Sequence, residues 1–280
     1  MFKIYDNRMN EIPYPDGVKP LDIFISSIEK ERNAVKVEGA NGLVDYGSTF
    51  KERNIELEIM LVTNDTQDYR LLRDSVNYMF QVTDTLKVSE TYEPGKIYEI
   101  AVDESFIPER IEGNQRYANA TISCKTVNLP FARSIGTTAD IDKGGLTTNS
   151  NLWAFGMGLI SDEDSFKYTH TGTSFRIYNA GNFSVNPFEM DLKITITDVK
   201  GSYSFFEITN VTNGTKFRID EEVKESQKVI IDGPIITING LQSLRKTNKQ
   251  FIGISPGWNY FIIKGANNAK VSFDFPFYYL

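Results

Sequence analysis

The chain has 280 residues, of which 40% are hydrophobic and 24% charged, and its formal net charge is -7. This composition is typical of a soluble globular protein, and no apolar stretch approaches the roughly 20 residues that a membrane-spanning helix needs. The acidic balance argues against a specific nucleic acid partner, because affinity for phosphates comes from lysine and arginine.

The length indicates about two domains of ordinary size. The N-terminal stretch MFKIYDNRMNEIPYPDG lacks the apolar core of a signal peptide, so we predict no secretion by that route. The negative charge is concentrated in the first half: up to Arg133 there are 16 basic and 22 acidic residues, against 14 and 15 in the remainder.

The first half predicts short strands around a single helix. Residues 63–80, TNDTQDYRLLRDSVNYMF, place apolar side chains on one helical face, with Asp65 or Thr66 as the capping residue. The strands are predicted from alternating apolar and polar residues, which is the pattern of a half-buried sheet. They cover residues 22–29, 34–38, 54–62, 96–102 and 117–127.

The stretch NGLVDYGSTFKERNIELEI, residues 41–59, contains glycines at Gly42 and Gly47. A phosphate-binding loop would require a helix N-terminus directly after the glycines. The alternation from Ile55 onwards predicts a strand instead. We therefore interpret the stretch as a glycine-shaped turn that leads into the strand.

Residues 134–151, SIGTTADIDKGGLTTNSN, are rich in glycine, serine and threonine and predict a linker. The domain prediction is thus an N-terminal domain at 1–133, a linker at 134–151 and a C-terminal domain at 152–280. Many short strand candidates follow one another in the last segment, and Asn213-Gly214 is a hairpin signal. This pattern favours an antiparallel β-sandwich, with a barrel as the alternative.

Few residues offer enzymatic chemistry. His170 is the single histidine, and no GxSxG motif accompanies it, so we predict an exposed or hydrogen-bonded loop histidine. Cys124, the single cysteine, is predicted to be a buried apolar residue. The stretch SDEDS at 161–165 lacks the glycine and the distant glutamate of a calcium loop and is interpreted as an acidic turn. We predict no catalytic, cofactor-binding or metal-binding residues.

Several aromatic residues are candidates for a sugar-stacking platform. The adjacent pairs Phe205-Phe206 and Tyr278-Tyr279 should place one ring of each pair in the core, because neighbouring residues of a strand face opposite sides. Trp258 follows a Pro-Gly turn at a strand start, where packing is favoured over binding.

The order of these features resembles one family, the distal tail (Dit) proteins of long, non-contractile-tailed bacteriophages, or siphophages, and related prophages. The resemblance rests on NGLVDYGSTFKERNIELEI, on the helix after it, on YNAGNFSVNPFEMDLKITI, and on the terminal GISPGWNYFIIKGANNAKVSFDFPFYYL. It covers nearly the whole chain.

The resemblance implies a mainly β protein. An N-terminal β-sandwich with one α-helix and a β-hairpin forms a hexameric ring, and a galectin-like antiparallel β-sandwich follows it. The ring joins the tail tube protein to the tail-tip or tail-associated lysin protein, and the C-terminal domain often docks receptor-binding proteins. It implies a virion tail tip location, and neither enzymatic activity nor a cofactor.

Two hypotheses on assembly follow. A predicted hairpin at 96–119 and unpaired edge strands are candidate ring contacts, because an unpaired edge invites pairing with a neighbour. Carboxylates of the acidic first half would line the ring lumen and repel passing DNA.

The alternative function is a carbohydrate-binding, lectin-like module for attachment to the host cell wall, and a peptidoglycan hydrolase is a third class.

Overall fold

The computed structural model describes residues 1–39, 41–112, 116–146, 152–154, 156–159 and 166–280. The chain divides into two compact units, one comprising Met1–Ala132 with Leu280 and the other Arg133–Tyr279. Among the described residues, no helix is long and apolar enough to span a membrane. The prediction of a mainly β chain with antiparallel sheets is confirmed.

The strands of the first unit are β1 Phe2–Tyr5, β2 Val18–Ile25, β3 Lys30–Val35, β4 Val44–Phe50, β5 Asn54–Val62, β6 Leu86–Glu90, β7 Lys96–Ala101, β8 Glu109–Arg110 and β9 Tyr117–Thr126, and helix α1 is Thr66–Gln81. Six of them form an antiparallel sheet in the order β1-β6-β7-β9-β5-β2, and β8 pairs with β9. The two ends of this path, β1 and β2, also contact each other, so the sheet curls around its core.

Strand β5 shows why the alternating sequence folds in this way. Ile55, Leu57, Ile59 and Leu61 are fully buried, while Glu56 between them is exposed. Helix α1 contacts β5 through a buried apolar face. The predicted cap at Asp65 is confirmed, since its carboxylate accepts hydrogen bonds from two backbone N–H groups of the first turn.

The remaining strands, β10 to β21, are Ala132–Thr137, Thr169–Gly172, Ser174–Asn179, Lys193–Lys200, Phe206–Asn210, Lys216–Ile219, Val229–Asp232, Ile235–Ile238, Leu241–Gln242, Gly257–Lys264, Asn268–Asp274 and Pro276–Tyr279; α2 is Thr138–Gly144, and a 3-10 helix covers Leu244–Lys246.

The second unit is built on two antiparallel sheets. One has the order β11-β20-β13-β16-β17-β18 and the other β12-β19-β14-β15. They pack through aromatic side chains, with ring centroids of Phe261 on β19 and Phe273 on β20 4.9 Å apart. The predicted hairpin at Asn213-Gly214 is confirmed as the β14–β15 connection, where Gly214 has a φ of +74°.

The segment predicted as a linker is structured where it is described. It contains most of β10, which pairs with β21, and all of α2. Thr138 is fully buried; its hydroxyl donates to the Phe273 carbonyl at 2.8 Å and accepts from the Phe275 N–H at 3.1 Å. The small residues thus serve close packing and internal hydrogen bonds. Residues 147–151 of the predicted linker lie outside the described residues, and the division into independent domains stays a proposal.

The predicted hairpin at 96–119 is present only in its last part, where Glu109 and Arg110 of β8 pair with Asn119 and Ala118 of β9. Strands β7 and β9 pair through Ile100 with Thr126 and through Ala101 with Lys125, so the residues between them form a long connection that includes β8. Ile97 and Ile100 are buried because β7 contributes to the core of the sheet. Residues 113–115 of this segment lie outside the described residues.

Candidate functional site

A β-hairpin made of β3 and β4 forms a two-stranded sheet of its own. Its register pairs Lys30 with Phe50 and Val35 with Val44. Both strands are exposed along almost their whole length and on both faces. The hairpin therefore projects from the first unit and contributes little to its core.

The base of this hairpin is attached to the first unit. The Lys51 N–H donates to the Glu29 carbonyl at 2.9 Å, and the two side chains form an ion pair at 2.8 Å. Phe50 contacts the edge of Phe131 with ring centroids 5.5 Å apart. These contacts fix where the hairpin leaves the sheet.

Gly47 lies at a bulge in β4. Arg32 pairs with Ser48 and Ala34 with Asp45, so Tyr46 and Gly47 together face one residue of β3. Gly47 has a φ of +99°, which side chains disfavour, and its N–H donates to the Asp45 carboxylate at 2.9 Å. The interpretation of the glycine-containing part of 41–59 as a plain turn is wrong, because that part contains strand β4.

The end of the hairpin carries exposed apolar side chains, which we call the apolar tip. Its members are Val35, Val37, Leu43, Val44 and Tyr46. Tyr46 is 69% exposed and Val35 54%. Clusters of exposed apolar side chains typically mark contact surfaces.

An acidic face covers part of the first unit. The outward side chains of β5 include Glu56 and Glu58, and Asp22 of β2 lies opposite Glu58. A groove of about 380 Å³ adjoins Glu56 and is also lined by Asp103, Glu104 and Lys125. Lys125 forms an ion pair with Glu52 at 3.1 Å. The acidic face thus comprises the carboxylates of Asp22, Glu56, Glu58, Asp103 and Glu104, with Lys125 beside them.

The candidate nucleophile, Cys124, is buried, and the candidate base, His170, is half-buried. Cys124 is buried, and burial raises the pKa of its thiol to about 12. The His170 ring stacks on Phe175 with centroids 4.9 Å apart, and burial lowers its pKa. Its Nε2 lies 2.8 Å from the Lys167 carbonyl. Cys124 behaves as predicted, whereas His170 is a half-buried strand residue rather than a loop residue.

The two adjacent aromatic pairs that are candidates for sugar stacking differ in burial. Phe206 is buried and the ring of Phe205 is covered by Arg218, as predicted for that pair. Tyr278 and Tyr279 are both buried, so the prediction that one ring would face outward is wrong for them. Strand β21 is buried on both faces, which removes the alternation.

Trp258 is half-buried at the start of β19. The Arg176 guanidinium lies 4.0 Å from the centre of the indole, and Tyr178 contacts the indole in a T-shaped arrangement at 5.2 Å. Trp258 is thus engaged in packing. The acidic stretch at 161–165 lies outside the described residues. Within the described part, no group of three or more His, Cys, Asp or Glu side chains could hold a metal ion.

Residues 16–124 match the family model of the phage tail protein RIFT-related domain. A comparison with curated proteins gave no match. Among solved structures, the chain is similar to the SPP1 Dit (gp 19.1) protein, whose structure is described as a paradigm of the hub adsorption apparatus in phages that infect Gram-positive bacteria. The TM-score is 0.64 at 12% identity, with 99% of each chain covered.

The chain is also aligned with a protein in the activated phage P2 baseplate with Ca, at a TM-score of 0.38 and 11% identity, covering 99% of this chain and 97% of the other. This score is too low to support an argument.

The first unit therefore contains a phage tail protein domain. The whole chain has the fold of the SPP1 Dit protein, and the resemblance to the distal tail protein family seen in the sequence is confirmed.

Proposed function

We propose that the protein is a structural hub of a siphophage tail tip, which forms a hexameric ring between the tail tube protein and the tail-tip or tail-associated lysin protein. The observation that carries the proposal is the β3–β4 hairpin, which projects from a phage tail domain with both faces exposed. The likeness in fold to a hub protein supports it.

The hairpin is physically suited to a contact between subunits. An isolated two-stranded sheet is marginally stable in water, so its order and its apolar tip are best explained by a second surface that covers it. A ring closes through a head-to-tail contact in which two different patches of one subunit meet. The hairpin supplies one patch, and we propose that the neighbouring copy supplies the other.

The acidic face is suited to the passage of DNA through such a ring. Carboxylates such as Glu56, Glu58 and Asp103 repel phosphates, so DNA would slide along a wall lined by them without binding. We propose that this face lines the lumen. A ring structure with this face on the outside would refute this part of the proposal.

The role proposed is structural, with no reaction of its own, in the tail tip of the virion. The lectin-like alternative gains no support from Trp258, whose indole is covered by Arg176. We do not favour it over the hub.

Native mass spectrometry of the purified chain tests the ring. The expected mass is about six times the 31.8 kDa of one chain. Replacing Val35, Leu43 and Tyr46 together by serine should release monomers, because the three exposed side chains supply the apolar contact.

The matched control is Tyr92→Ser, which removes an exposed aromatic side chain elsewhere on the same unit and should leave the ring intact. A ring that forms equally well from the triple variant would refute the role of the hairpin. A wild-type chain that remains monomeric, both alone and with the tail tube protein, would refute the hub.

A further inference from the structure

The two edges of the sheet β12-β19-β14-β15 differ in how their backbone groups are satisfied. At the β15 edge, residues 246–248 form hydrogen bonds with the backbone in and next to β15. The Asp220 N–H donates to the Lys246 carbonyl at 2.8 Å, and the Asn248 N–H donates to the Arg218 carbonyl at 3.0 Å. The Arg218 N–H donates to the Asn248 side chain at 3.1 Å. This edge is closed to other strands.

Among the described residues, no strand pairs with the outer edge of β12. The Ile263 N–H donates to the Thr173 carbonyl at 2.7 Å, so Thr173 and every second residue after it bond to β19. Ser174 and Arg176 therefore direct their N–H and C=O groups away from the sheet. No described residue bonds to these groups, whereas the carbonyl of Tyr178 accepts from the Tyr168 hydroxyl at 2.8 Å. An open edge of this kind is a template for another strand.

An apolar groove of about 390 Å³ adjoins this edge. Its lining comprises Ser174, Phe175, Arg176, Val211, Tyr260, Phe261 and Ile262. Tyr260 is 50% exposed and Ile262 42%. A strand added to β12 would alternate its side chains, and those on one face would reach the groove.

Arg176 supplies a charge at the same place. Its guanidinium lies over the indole of Trp258, and none of the ion pairs among the described residues involves it. An acidic side chain of the added strand would complement it. A sugar is disfavoured, because Arg176 and Tyr178 already cover the indole that would stack on it.

We propose that the open β12 edge and the adjoining apolar groove, together the β12 site, dock an extended peptide segment of another tail protein. The segment pairs its backbone with Ser174 and Arg176, places apolar side chains in the groove and brings an acidic side chain to Arg176. This inference rests on the proposed hub function and names the chemistry of the partner that the second unit holds.

Hydrogen–deuterium exchange of the full chain tests the β12 site with the synthetic probe acetyl-Asp-Val-Thr-Val-Thr-Val-Thr-amide. We expect protection of amides in β12. The same peptide with alternate backbone nitrogens methylated on its pairing edge should give none, because it cannot donate to the strand.

Three variants separate the parts of the β12 site. Ser174→Pro removes an outward N–H, a change that edge strands tolerate, and Ile262→Glu and Arg176→Gln alter the groove and the charge. Each should weaken binding by about tenfold or more, as loss of one anchoring contact does. The matched control is Ile235→Glu, at a 52% exposed position on the other sheet, which should bind the probe as the wild type does.

Absence of protection at millimolar peptide would overturn the proposal, as would equal binding of the methylated probe or of all three variants. Protection of β12 by cell-wall oligosaccharide instead would assign the site to sugar. Protection that rises with protein concentration alone would assign it to a second copy.

Native mass spectrometry of the same variants keeps the two proposals apart: peptide docking without rings refutes only the hub, and rings without docking refute only the β12 site.

Discussion

The hairpins β3–β4 and β14–β15 each consist of two antiparallel strands, but their surroundings are opposite. Each contains a glycine with positive φ, Gly47 in the first and Gly214 in the second. In β14–β15 one face is fully buried, whereas β3–β4 is exposed on both faces. The backbone pattern of a hairpin therefore does not decide its role. The burial of its side chains decides whether it stabilises its own unit or is available to another chain.

The largest expected loss of stability follows from a substitution on the buried face of β15. Phe217 is fully buried, so Phe217→Ala should lower the free energy of unfolding of the second unit by about 3–5 kcal/mol. Both tryptophans of the chain lie in that unit, so denaturant unfolding followed by tryptophan fluorescence measures it. A loss under about 1 kcal/mol would show that this hairpin is as independent of its core as β3–β4 is.

A polar pair holds β14 and β19 together and gives the next largest effect. The Asn210 side chain donates to Oδ1 of Asn259 at 2.9 Å, and both residues are fully buried. Asn259→Ala removes the acceptor of the half-buried Ser255 N–H and one acceptor of the buried Asn210 amide, which should cost about 1–3 kcal/mol.

The measurement is again tryptophan fluorescence, and Asn213→Ala serves as the comparison, because its side chain is exposed at the turn. Equal losses in the two variants would show that burial of the amide is not the cause.

The parts of the fold that were predictable are those in which one face is buried. Helix α1 and strand β5 have the periodicity of a half-buried element, so their positions follow from the sequence. Hairpin β3–β4 has no buried face and therefore no alternation, and the bulge at Gly47 shifts its register. The glycine, serine and threonine content of 134–151 predicts a linker, and that prediction fails at β10. A side chain on Gly136 would collide with the Trp153 ring, and local sequence does not reveal this contact.

The proposed sites were hidden for a related reason. An open strand edge such as that of β12 depends on which strands pair, and pairing partners lie far apart in the chain. Ser174 and Arg176 carry no motif. The acidic bias of the first half follows from a count, whereas the groove that holds Asp103 beside Glu56 depends on the connection after β7.

Alanine at Gly47 or at Gly214 distinguishes the two hairpins, with an expected cost of about 1 kcal/mol in each. Gly214→Ala and Gly47→Ala both place a side chain at positive φ in open space, which costs about 1 kcal/mol or more of backbone strain. The Gly214 variant should show this loss in the unfolding of the second unit. The Gly47 variant should leave the global unfolding of the first unit unchanged and speed amide exchange only in β3 and β4, because the hairpin opens locally.

The smallest effect on stability is expected from removing β3–β4 altogether. Glu29 and Lys51 are bonded backbone to backbone at 2.9 Å, so residues 30–50 can be replaced by a Gly-Asn-Gly turn without stretching the chain. Since almost none of the removed side chains is buried, the free energy of unfolding of the first unit should change by less than about 1 kcal/mol. Hydrogen exchange of β5 amides measures that unit alone. The shortened chain should keep β5 protected while losing the ring. Exposure of β5 would instead assign the hairpin to the fold of its own unit, as β14–β15 is assigned.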